Sequence, residues 1–60
     1  MSIFEISYDL NGVFGATWHT GTAESLKTAM KRLEDLGCEY LRSEKIGYVR
    51  KNGKRFIYNK

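Results

Sequence analysis

Proline is absent from these 60 residues, and cysteine occurs once, as Cys38. A lone cysteine excludes an internal disulfide and favours a reducing, cytoplasmic setting over a secreted scaffold. One cysteine and one histidine, His19, fall short of the roughly four ligands that structural zinc takes, so no metal or other cofactor is expected. No run approaches the ~18 apolar residues of a membrane span. No basic segment followed by a long apolar stretch opens the chain, so no signal peptide is expected. Low-complexity tracts and internal linkers are also missing. The reading is one domain over residues 1–60, ordered from Ile3 to about Asn59. A chain of this size buries only ~60% of its unfolded surface, so stability must come from the packed core or from self-association, and a homo-oligomer is expected.

Charge is present but segregated. Residues 41–60 hold seven basic side chains, Arg42, Lys45, Arg50, Lys51, Lys54, Arg55 and Lys60, against Glu44 alone, a net of +6. Residues 1–40 hold three basic against six acidic side chains, a net of −3. Such segregation costs self-repulsion and does nothing for the fold, so it speaks of partners: a polyanion or an acidic surface.

Two Asn-Gly pairs sit between runs with strand character, a hairpin signal because a type I′ turn needs positive φ at both central residues. Before Asn11-Gly12, Phe4, Ile6, Tyr8 and Leu10 alternate with Glu5, Ser7 and Asp9, the period of a half-buried strand. Val13 to about His19 forms the return strand. Thr22 then suits an N-cap, with Ser25 at N3 and Glu24 in the first turn. Leu26, Ala29, Met30, Leu33 and Leu36 make one apolar stripe at helical spacing, and Gly37 stands where a C′ glycine ends a helix. Residues 38–42 read as a third strand and 43–45 as a turn. Residues 46–51 and 54–58 read as a second hairpin around Asn52-Gly53. The order is ββαβββ, or ββαββ if residues 38–51 form one long bent strand. Either gives a two-layer α+β domain: an antiparallel sheet of four to five strands with one helix on one face. The expected core is Phe4, Ile6, Tyr8, Leu10, Val13, Leu26, Met30, Leu33 and Leu36, plus one face of the final hairpin. The other face of the sheet must meet water or a partner.

A two-residue loop at Asn52-Gly53 sets Lys51 opposite Lys54 and Arg50 opposite Arg55. Like charges directly opposed are destabilising, so two such pairs suggest a cationic finger that accepts phosphates. Arg42 and Lys45 extend it, and Tyr48, with Phe56 and Tyr58, could stack on bases. The structural alternative is that basic edge strands merely resist aggregation, with Phe56 and Tyr58 in the core beside Val49. A regular first hairpin places Phe14 and Trp18 away from the helix, as contact residues for a partner. A bulge at Gly15-Ala16 instead turns Trp18 into the core and Thr17 and His19 outward, and glycine within a strand favours the bulge. Cys38 reads as a small buried hydrophobe. Glu34 and Asp35 diverge on the helix, Glu5 and Asp9 are too far apart to share a proton, and no phosphate-binding glycine loop joins a strand to a helix. No enzymatic activity is expected.

Residues 23–32 (Ala-Glu-Ser-Leu-Lys-Thr-Ala-Met-Lys-Arg) followed by 48–56 (Tyr-Val-Arg-Lys-Asn-Gly-Lys-Arg-Phe) resemble a layout in small phage-encoded inhibitors, including some anti-CRISPR proteins: a helix, then a sheet ending in an Asn-Gly-Lys-Arg-aromatic turn. The resemblance covers about the last two-thirds of the chain and implies a non-enzymatic protein that binds a host nucleic-acid-handling complex. The helix and basic hairpin also look like HicA-type RNA-cleaving toxins, but the histidine those carry after the helix has no counterpart in residues 38–58. The expected partner is thus nucleic acid or a host nucleoprotein or protein complex, with no membrane.

Overall fold

The computed structural model describes residues 1–58; Asn59 and Lys60, the end of the expected ordered region and the last of the seven basic residues, lie outside the described residues. Five elements follow in the order ββαββ: β1 (Ser2–Leu10), β2 (Val13–Gly21), α1 (Ala23–Asp35), β3 (Glu39–Val49) and β4 (Arg55–Ile57). One antiparallel sheet holds the strands in the order β2-β1-β3-β4. The turn expected at 43–45 is not formed, because residues 39–49 run as one strand. Register shifts against β1, at Ile3/Phe4 and at Ser7/Asp9, bend that strand. A bulge does the work of a turn without ending the hydrogen-bonded ladder.

The first hairpin follows from Asn11 and Gly12, at φ 54° and 83°, the pair of positive angles a type I′ turn demands. Asp9 Oδ1 accepts from the Gly12 N–H at 2.8 Å. The helix begins at a reciprocal cap: Thr22 Oγ1 accepts from Ser25 N–H, and Ser25 Oγ accepts from Thr22 N–H at 2.9 Å. It ends in a Schellman motif. Gly37 N–H bonds the Glu34 carbonyl and Cys38 N–H bonds the Leu33 carbonyl, both at 3.0 Å.

The ladder between β1 and β2 is regular, Leu10 opposite Val13 through Ser2 opposite Gly21. Even-numbered β1 side chains therefore share the helix side with Gly15, Thr17 and His19 of β2. Odd-numbered ones share the open side with Phe14, Ala16 and Trp18. This overturns the bulge favoured at Gly15-Ala16. Gly15 serves another purpose: the Tyr8 ring crosses from the facing position, and a Cβ at residue 15 would come within 2.6 Å of it. Trp18 consequently lies on the open side, 53% exposed, and its Nε1–H donates to Glu5 Oε2 at 3.1 Å. His19 turns to the helix side, where its Nε2 lies 2.8 Å from Ser25 Oγ.

The buried apolar side chains among the described residues are Ile3, Ile6, Leu26 and Cys38. Ile6 on β1, Leu26 on α1 and Cys38 are buried, as expected. Phe4, Tyr8, Met30 and Leu33 are half-buried. Leu10, Val13 and Leu36, expected in the core, are exposed: the first two flank the hairpin turn and Leu36 is the C-cap that ends the helix. Ile3 was not expected inside. It lies three residues from Ile6, hence on the opposite side of β1, facing Gly47 of β3. A Cβ at Gly47 would collide with the Phe56 carbonyl and the Ile57 Cα. Strand β4 thus closes tightly on β3 where Ile3 is buried.

Candidate nucleic-acid interface

The second Asn-Gly pair makes a different turn from the first. Only Gly53 has positive φ, 84°. Gly53 N–H bonds the Arg50 carbonyl at 2.9 Å, and Arg50 N–H bonds the Lys54 carbonyl at 2.8 Å. The connection is therefore three residues, Lys51-Asn52-Gly53, a type I turn closed by glycine in the left-handed region. Asn52 Oδ1 accepts from Lys54 N–H at 3.1 Å and fixes the loop.

That one extra loop residue shifts the whole register. Arg50 stands at the position of Lys54, Val49 faces Arg55, Tyr48 faces Phe56 and Gly47 faces Ile57. The expected Lys51–Lys54 and Arg50–Arg55 oppositions do not form. Phe56 joins the face of Tyr48, not that of Val49.

The shift sorts the basic residues by face. Strand alternation puts Tyr48, Arg50, Lys54, Phe56 and Tyr58 together, on the side of the sheet that carries the helix. Lys45, opposite Phe4, belongs to that side as well. Three rings form a cluster there, with centroids 5.3 Å apart for Tyr48 and Phe56, 6.1 Å for Tyr48 and Tyr58, and 6.2 Å for Phe56 and Tyr58. The Arg50 guanidinium lies 5.6 Å from the Phe56 ring centroid, within cation–π range. Phe56 and Tyr58 are each 41% exposed, neither core nor free.

The remaining expected binding residues lie elsewhere. Lys51 is at the loop tip. Arg55 points to the other side with Val49. Arg42, opposite Ser7, also lies on the open side, in a shallow groove lined by Glu5, Phe14, Ala16 and Tyr40. Phe14 is 81% exposed there and Tyr40 76%. Tyr40 was missed in the sequence; it has φ 53°, unusual for a bulky residue, and sits at the second irregularity of β3. No sequence signal marks a tyrosine for that conformation.

Among the described residues, no three His, Cys, Asp or Glu side chains gather where they could hold a metal ion. No helix there is long and apolar enough to cross a membrane. The chain matches no protein-family model, no curated protein and no solved structure.

Proposed function

We propose that this chain is a non-enzymatic binding protein whose C-terminal hairpin takes single-stranded nucleic acid. Bases stack on Phe56 and Tyr58, with Tyr48 as their backing, and backbone phosphates meet Arg50 and Lys54. The observation that carries the reading is the three-ring cluster with Arg50 stacked at its tip-proximal end. A stacked arginine keeps its guanidinium edge available for phosphate, and a ring cluster accepts any base because every base has a π-face. Helix α1 offers no comparable surface for a duplex groove: its three basic residues are balanced by Glu24, Glu34 and Asp35. Binding is accordingly indifferent to sequence and prefers single strands. The free, buried Cys38 accords with a cytoplasmic site of action.

The test is fluorescence anisotropy with labelled single-stranded DNA, single-stranded RNA and duplex at low salt. Tighter binding of single strands, with quenching of tyrosine emission, supports the proposal. No binding of any of the three overturns it. The hairpin would then address an acidic protein surface, as expected of an inhibitor of a host defence complex.

A further inference from the structure

The two edges of the sheet differ sharply. At one end lies β4, three residues long and beside Arg50, Lys54 and Arg55. At the other lies β2, nine residues long, with no charged residue, no proline and a regular ladder to β1. Edge strands are normally blunted by charge, proline, bulges or shortness, because their unpaired N–H and C=O groups template pairing with another strand. Strand β2 carries none of these devices. Its Val13, Phe14 and Trp18 are exposed.

We propose that two copies of this chain join antiparallel along their β2 edges about a twofold axis at Ala16, forming one continuous eight-stranded sheet. The register comes from the hairpin. Residues flanking a two-residue turn exchange both hydrogen bonds, so Leu10 and Val13 are bonded to each other. Alternation then directs the N–H and C=O groups of Phe14, Ala16, Trp18 and Thr20 away from β1, to the free edge. With Ala16 facing its own copy, Phe14 of each chain falls opposite Trp18 of the other, both on the open side of the sheet. Facing aromatic pairs are favoured in antiparallel ladders. The Trp18 ring is already anchored by its bond to Glu5, so one member of each pair is positioned before association.

The self-complementary placing of Phe14 and Trp18 about Ala16 selects a second copy as the occupant, and charge selects β2 as the edge. Two β2 strands bring no charge against charge across the axis, whereas two β4 edges would bring cation against cation. Pairing through β2 sends the two basic hairpins to opposite ends of the assembly. It also gives the small core the added burial that a 60-residue chain lacks.

The experiment is sedimentation equilibrium on the full chain from low to high micromolar concentration, read beside amide hydrogen exchange. A concentration-dependent dimer is expected, with slowed exchange at Phe14, Ala16, Trp18 and Thr20 as concentration rises. Phe14→Lys and Ala16→Lys each place a like charge on both sides of the axis and should give monomers with unchanged circular dichroism. Arg55→Glu alters the open side at the opposite edge of the sheet and should leave the dimer intact. A wild-type chain that stays monomeric overturns the proposal. So does a dimer that Arg55→Glu dissociates and Phe14→Lys does not, or one whose β2 amides exchange at a rate independent of concentration. The exchange reading needs no variant, so a substitution that fails to fold leaves the decision intact.

Discussion

The Tyr8 ring lies across Gly15 on the neighbouring strand, occupying the volume a side chain there would need. A Cβ would come 2.6 Å from Tyr8 Cζ. The ring is half-buried and its far end can tilt, so Gly15→Ala should cost about 1 kcal/mol, at the low end of overpacking. A urea titration should show a lower midpoint at unchanged slope.

This pair also shows what the sequence could and could not reveal. Glycine inside a strand signals either a bulge or a close approach, and only the facing residue decides which. Here Tyr8 decides it, and with it the side on which Trp18 lies. The second turn was ambiguous for a related reason. Asn-Gly suits both a two-residue type I′ loop and a three-residue loop closed by Gly53, and nothing in Lys51-Asn52-Gly53 separates them. The helix boundaries were legible because capping is local: Thr22, Ser25 and Gly37 carry their partners within a few residues. Burial of Ile3 was not, because it depends on how β4 closes over Gly47.

Gly47→Ala should be far more damaging than Gly15→Ala. The atoms it would meet are backbone, the Phe56 carbonyl and the Ile57 Cα, and they cannot yield without prying β4 from β3. A loss of about 2–3 kcal/mol is expected. Exchange should accelerate first at the Tyr58 amide, which bonds the Ile46 carbonyl at 2.7 Å across this hairpin. Because the aromatic cluster is built on the same two strands, nucleic-acid binding should fall with it.

Thr22→Ala removes half of the reciprocal cap, leaving the Ser25 N–H without its side-chain acceptor. The expected cost is about 1 kcal/mol. Thr22→Asp restores an acceptor at the positive end of the helix and should recover most of it. Thermal unfolding followed by far-ultraviolet circular dichroism separates the three proteins.

The sorting of basic residues by face makes the sharpest claim about binding. Arg50 and Lys54 flank the rings, whereas Arg42 and Arg55 lie on the other side of the sheet. Two double variants therefore remove the same charge from different faces. Changing Arg50 and Lys54 together to Gln should weaken single-strand binding and reduce the dependence of log K on log salt by about 1.4, the value for two lost phosphate contacts at ~0.7 each. Changing Arg42 and Arg55 together to Gln should leave that slope within error of the parent, with only the mild uniform weakening that lower net charge brings. Phe56→Leu keeps apolar bulk but removes a stacking surface and the seat of Arg50. It should cost about 1–3 kcal/mol of affinity while leaving the salt slope nearly unchanged. Anisotropy titrations at four or more salt concentrations read all three at once, because stacking moves the intercept and phosphate contact moves the slope. Equal effects of the two double variants would mean that net charge alone attracts the strand and that the ring cluster is not its seat.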